Sequence, residues 1–203
     1  MPSGLPRASA YLQMLMADPD GGILCVFADS NQDIYRKGWS APFQMDPFPL
    51  DVNCRNTVEI AERVAQAVGV EQVTLGVRGV APDLREFNTE RQLEKALGGI
   101  LDKLVAEGLD PSQIVILSSS RAYVDRIRYE GGFDGRIGSG EQGKVMAETV
   151  HRFKGLESDA VILVLFDGPP DDLRRLAYVG MSRARSLLYV LAAPGVPSSI
   201  RWD

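Results

Sequence analysis

The sequence predicts an α/β fold: a mainly parallel sheet with helices on both faces. Three observations carry this. Short apolar runs at 23–28, 114–117, 145–150, 160–166 and 187–192 have the length and composition of strands buried on both sides. Segments with helical spacing separate them, the alternation that gives parallel strands joined by crossover helices. Turn and cap signals fall between the two kinds of segment rather than inside them.

In chain order, 5–17 has mixed helical spacing and stops at the turn signal Asp18-Pro19-Asp20-Gly21-Gly22. The run 23–28 is a buried strand ending at Asp29, and Pro42, Pro47 and Pro49 mark a crossing loop or hinge. Asn56 and Glu59 form a capping pair for a helix through Ala67. A short strand over 84–87 precedes Thr89 and Gln92, a second capping pair. These open a long helix carrying Leu93, Leu97, Ile100, Leu101, Leu104 and Val105, ended by Gly108. Strand 114–117, helix 121–129 and a Gly-rich loop over 131–143 follow. The last elements are strands 145–150 and 160–166, a helix over about 171–182, and strand 187–192.

At 203 residues the chain can bury one good core, or one domain with part of a second. A net charge of −5 argues against a broad, non-specific nucleic-acid surface. Local clusters (Arg36 with Lys37, Arg121 with Arg126 and Arg128, Arg152 with Lys154) still allow a narrow basic groove. Cys25 and Cys54 show no Cys-x-x-Cys pairing, and a single His completes no zinc site. Cys25 is expected in a core, and both thiols suit a reducing cytoplasm, the expected location. No apolar stretch reaches the roughly 20 residues that span a bilayer, so no membrane partner is expected. Residues 1–6 lack the basic-then-apolar pattern of a secretory signal.

Polar residues of chemical interest gather where apolar runs end, where open α/β sheets bind ligands. Asp29, Gln32 and Tyr35 follow the first strand. A Gln there can sense a terminal phosphate or orient a water, and a polar turn is the plainer alternative. Trp39 offers a base-stacking face or a packing side chain. Asn53 and Arg55 precede a capped helix; Arg is suited to phosphate by its fixed charge and donor fork, and an ion pair with a nearby carboxylate is the plainer alternative. Thr149, His151, Lys154, Gly155 and Glu157 lie in one turn, and Arg183 and Arg185 stand just before the last strand. Gly138-Ser139-Gly140-Glu141-Gln142-Gly143-Lys144 nearly matches a P-loop. However, Val145 takes the position of the Mg²⁺-binding hydroxyl and a strand follows where a helix is needed, so it reads as a loop.

Taken in order, four of these stretches resemble motifs of superfamily-one DNA helicases of the UvrD/Rep type. Asp29, Gln32, Ile34 and Tyr35 match the third motif, with Ala28 in place of Gly. Leu50, Asn53 and Arg55 match the fourth. Thr149, His151, Lys154, Gly155, Leu156 and Glu157 match the fifth, with Ser158 in place of Phe. Tyr178, Val179, Arg183, Ala184 and Arg185 match the sixth, and Ser182 keeps the hydroxyl of the family Thr. The resemblance implies a RecA-like fold, with residues 1–47 the remnant of a first RecA-like domain plus hinge and 48–203 the second domain. It implies that Arg55 and Arg183 contact the γ-phosphate of ATP, as arginine fingers do, and that Gln32 senses it. Asn53, Glu157, Gly155 and Asp29 would complete the nucleotide site. Thr149, His151, Tyr35, Trp39 and Lys154 would face single-stranded DNA. Cys54 stands where the family has a base-stacking Tyr, so nucleotide affinity or selectivity is expected to be weakened.

The P-loop Lys and the Asp-Glu pair that holds Mg²⁺ have no counterpart in the sequence. In the family they precede the third motif, so they are expected on a companion first RecA-like domain. Arg55 and Thr149 are 94 positions apart (149 − 55), which leaves no room for the large accessory domain of UvrD and Rep. The expected role is the C-terminal motor half of an ATP-dependent DNA helicase or translocase, not catalytic alone. The alternative is a stand-alone, non-catalytic binding or regulatory module on the same fold.

Overall fold

The computed structural model describes Cys25, Phe48 and residues 52–69, 73–129 and 132–202. The expectations for 5–17, for the strand 23–28 beyond Cys25, for Asp29, Gln32, Tyr35 and Trp39, and for the hinge prolines lie outside the described residues. Cys25 is exposed, against the expectation that it packs in a core. A small thiol is tolerated at either place, and apolar flanks alone do not enclose it. The chain divides into two compact units, Met1–Leu50 and Asp51–Asp203.

The second unit runs β1 (Val52–Asn53), α1 (Val58–Val68), β2 (Val73–Thr74), β3 (Asp83–Glu86), α2 (Glu90–Ala106), β4 (Ile114–Ser118) and α3 (Arg121–Tyr129). It continues with β5 (Ile137–Gly138), β6 (Val145–Thr149), β7 (Ser158–Leu165), α4 (Pro170–Met181), β8 (Ala184–Ala192) and α5 (Val196–Ser199). Six strands form one sheet in the order β3-β8-β7-β4-β6-β5, and each neighbouring pair is parallel. β1 and β2 make a separate parallel pair. The predicted α/β class with a mainly parallel sheet is the one observed.

The core sits on β4, β7 and β8, whose residues 114–118, 160–165 and 188–192 are all buried. That continuous burial is why these strands read as unbroken apolar runs instead of alternating ones. Parallel crossovers are right-handed, so α2 and α3, which lead towards β5, cover one face, and α4, which leads back from β7 to β8, covers the other. On the first face Leu93, Leu97, Ile100, Leu101 and Leu104 of α2 are buried, whereas Val105, one position past Leu104, turns off that stripe and is exposed; Arg126 of α3 pairs with Glu90 and Glu94. On the second, α1 packs against α4.

Several boundaries differ from the sequence reading, each for a local reason. The cap of α1 is Thr57, not Asn56; Asn56 is drawn inward, and Glu59 accepts from Gly79 N–H at 2.7 Å. Thr89 caps α2 as expected by accepting from Gln92 N–H at 3.3 Å, while Gln92 Oε1 turns to Asn88 N–H at 2.8 Å. The Gly-rich 131–143 stretch holds a 3-10 turn at Gly132–Gly135 and the edge strand β5, which borrows its order from β6. β7 and β8 begin earlier than their apolar runs, because Ser158 and Ala184 pair before the hydrophobic stretch starts.

Gly180 is where α4 lies closest to the sheet. A Cβ there would stand 2.7 Å from Leu163 Cδ1 and 3.1 Å from its Cδ2, and Leu163 is fully buried and has nowhere to turn. Gly180→Val is expected to lower stability by about 2 kcal/mol through overpacking, read as a fall in Tm by circular dichroism. An unchanged Tm would mean α4 moves off β7 at no cost.

Candidate functional site

Asn53 ends β1, and its side chain folds back over the residues that follow. Its Oδ1 accepts from the backbone N–H of Arg55 at 3.0 Å and of Asn56 at 3.2 Å, an Asx turn that fixes where Arg55 leaves the chain. Its Nδ2 donates to Asn56 Oδ1 at 2.8 Å. Asn56 is only 3% exposed, and its own Nδ2 donates to Ala184 O at 2.5 Å and Ser182 O at 3.4 Å. Thr57 N–H donates to Arg185 O at 3.1 Å, and Ser158 N–H to Arg183 O at 3.0 Å. The carbonyls from Ser182 to Arg185 are thus all met by donors from the Asn56–Thr57 corner and from β7.

This clamp collects charge at the N-terminal edge of β7 and β8. Arg55 Nε lies 3.2 Å from Glu157 Oε2, Arg185 Nε 3.9 Å from Glu157 Oε1, and Arg185 Nη1 3.4 Å from Asp159 Oδ1. Asp159 also accepts from Gln113 Nε2 at 2.9 Å. β8 carries an extra residue between the pairs Ser158–Ala184 and Ala160–Leu187, a bulge at which Arg185 projects. The Arg55 and Glu157 side chains are 52% and 45% exposed, so water screens their pairing and a competing anion can exchange for it.

Arg183 lies in the same place but is buried, 3% exposed. Its Nε donates to Val179 O at 3.0 Å, its Nη2 to Ser182 Oγ at 2.9 Å and its Nη1 to Leu156 O at 3.4 Å. Gly155 just before Leu156 takes φ +92°, left-handed backbone that favours glycine and turns the chain towards Glu157. The structure therefore gathers Asn53, Arg55, Gly155, Glu157 and Arg183, with Arg55 open and Arg183 enclosed.

Thr149, His151 and Lys154 are not part of that cluster. Thr149 ends β6 opposite Ser118, the last residue of β4, at the C-terminal edge of the sheet. Its carbonyl accepts from Arg152 and Phe153 N–H, both at 3.1 Å, and starts the turn that carries half-buried His151 and exposed Lys154. Val150 N–H donates to Ser118 O at 3.1 Å, which sets Ser118, Ser119 and Ser120 beside Thr149. Sequence reasoning passed over these three hydroxyls, although three consecutive Ser between a strand and a helix were the available signal. It also passed over Asn56 as a buried bridge and Asp159, two residues after Glu157 at the start of the same strand.

Comparison with known proteins bears on this arrangement. Residues 144–191 match the family described as UvrD-like helicase C-terminal domain. The crystal structure of the C-terminal domain of a possible DNA helicase from Lactobacillus plantarum WCFS1 is similar in fold, with a TM-score of 0.58 at 18% sequence identity. The similarity covers 72% of this chain and 91% of that one. No curated protein matches the sequence significantly. The UvrD-like region holds Thr149, His151, Lys154, Gly155, Glu157, Arg183 and Arg185, while Asn53 and Arg55 reach it from outside the matched residues.

Within the UvrD-like region, Glu148 is the most constrained acid at the C-terminal edge. Its Oε1 accepts from Thr149 N–H at 2.9 Å, and its Oε2 lies 3.1 Å from Arg128 Nη2 and 3.6 Å from Arg152 Nε. Burial works to raise its pKa, but the Thr149 N–H and the Arg128 guanidinium outweigh it and hold the carboxyl below the usual carboxylate range. A depressed folded pKa gives stability that is full above the unfolded value and lost as pH falls through the folded one. Glu148→Ala is expected to cost about 3 kcal/mol at neutral pH, because it strands the buried Arg128. In urea titrations the gap between wild type and Glu148→Gln should narrow as pH is lowered below about 4. A gap independent of pH would assign the stabilisation to packing.

Proposed function

We propose that this chain is the C-terminal motor half of an ATP-dependent DNA helicase or translocase. The observation that supports it best is the meeting of Asn53–Arg55 with Glu157 and Arg183–Arg185 at one edge of the sheet. These residues come from three separated stretches, two of them inside the UvrD-like region. A fold alone has no need to gather an exposed arginine pair around a carboxylate that releases it easily.

The chemistry of the residues fits a nucleotide polyphosphate. Arg55 and Arg185 are half-exposed guanidinia, and Glu157 holds them in place of an anion. By the resemblance, Mg²⁺ is assigned to the companion first RecA-like domain. ATP with Mg²⁺ supplies the free energy of phosphoanhydride hydrolysis when bound between the two domains. Arg55 meets the γ-phosphate as the open donor. Arg183 reaches it only by giving up its bonds to Val179 O and Leu156 O, which couples phosphate contact to movement of the α4 terminus. Glu157, released from Arg55, becomes available to the ribose, and Asn53 and Gly155 shape the loops that carry Arg55 and Glu157. By the resemblance, Asp29 is assigned to nucleotide binding and Gln32 to sensing the γ-phosphate.

At the opposite edge, Thr149, His151 and Lys154 face single-stranded DNA; by the resemblance, Tyr35 and Trp39 are assigned to stack on its bases. Burial of Arg183 also favours the second reading, a non-catalytic module in which this arginine only holds α4 to the 155–157 turn.

The pure chain is expected to hydrolyse no ATP above background in a coupled assay; Mg-dependent turnover would sink the half-motor assignment. By isothermal calorimetry, Arg55→Ala should weaken ATP binding about tenfold or more, the loss of one charge-assisted contact. Lys154→Ala should weaken labelled single-stranded DNA evenly across sequences and reduce the salt dependence by about one phosphate contact. Unchanged affinities in both variants would favour the module.

A further inference from the structure

The site collects two arginine-bearing segments, and one buried side chain lies between them. We propose that Asn56 is the positioning residue that couples Arg55 to Arg183, so that whatever engages Arg55 is felt at the enclosed guanidinium. Its primary amide is used on both sides. Oδ1 accepts from Asn53, whose own Oδ1 holds the Arg55 N–H at 3.0 Å. Nδ2 donates to the carbonyls of Ser182 and Ala184, the residues immediately before and after Arg183. No charge is involved, so the link keeps its strength at any pH or salt concentration at which the protein is folded.

A second route joins the same two arginines: Arg55 to Glu157, then Leu156 O to Arg183 Nη1. It is the weaker of the two. Its ion pair is half-exposed and screened, and its last bond is long at 3.4 Å. Asn56 is shielded from water, where a hydrogen bond is stronger and an unmet partner costlier. If Asn56 is lost, the Ser182 and Ala184 carbonyls lose their donor and Asn53 loses the acceptor that steadies it. Thr57 N–H to Arg185 O remains, so the corner stays attached while the register around Arg183 loosens.

The test is nuclear magnetic resonance of the whole chain labelled with ¹⁵N-arginine, following the Arg183 Nε–H signal. Without any ligand, Asn53→Ala, which removes the acceptor of the Arg55 N–H and the donor to Asn56 Oδ1, should shift that signal in the otherwise wild-type chain and leave it unmoved in an Asn56→Ala background. Asn56→Ser serves if Asn56→Ala fails to fold. A shift that survives the loss of Asn56 assigns the coupling to Glu157 and Leu156 and overturns the proposal, as does the absence of any shift in the wild-type background. The nucleotide reading on which its functional meaning rests is separated by a second titration, with inorganic tripolyphosphate. If the anion moves neither Arg55 nor Arg183 while the Asn53→Ala shift depends on Asn56, the phosphate site fails and the positioning role stands. If the anion moves both signals in wild type and only Arg55 in Asn56→Ala, both hold.

Discussion

Carbonyl groups at the start of a strand must be met by donors, and at the start of β8 this requirement shapes the whole N-terminal edge of the sheet. Ser182, Arg183, Ala184 and Arg185 present four carbonyls in succession. A regular parallel partner on one side meets only some of them. Ser158 of β7 serves Arg183, and the other three are served by a two-residue corner nearly 130 positions away in sequence. Remove that corner and β8 still has its apolar body, but the bulge at Arg185 and the orientation of Arg183 have no fixed reference. The same corner launches α1, whose packing on α4 then depends on it. Backbone satisfaction, helix placement and the presentation of Arg55 are one constraint seen from three sides.

The two edges of the sheet differ in chemistry. The N-terminal edge of β7 and β8 carries exposed arginines and acids in loose pairs. The C-terminal edge carries hydroxyls, a half-buried His and a well-held Glu148.

Much of the fold was legible because burial on both faces of a parallel sheet leaves unbroken apolar runs, as at residues 114–117 and 160–165. The Thr89 cap was legible because its partner is three residues away. What could not be read was anything that depends on a distant partner. Asn56 and Thr57 both have cap-forming side chains, and only the approach of β8 decides that one turns inward and the other starts the helix. β1 and β2 have two residues each, too few to show a period. The burial of Arg183 is likewise invisible in a motif, which gives order along the chain but not what surrounds a side chain. Motif order also hid that Thr149 and Glu157, eight positions apart (157 − 149), sit at opposite ends of the strands.

That last separation has a mechanical meaning. Most parallel connections in such sheets include a helix, whose length absorbs small displacements at either end. Residues 150–157 have none, and part of their length is consumed by the turn closed by the Thr149 carbonyl. A fully extended chain of this length reaches at most about 28 Å, and a five-residue strand already spans about 16 Å of that. The connection is a tether with little slack, fastened by β6 at one end and by β7 at the other. A pull on the hydroxyl edge is therefore delivered to the loop that carries Glu157 instead of being dissipated on the way.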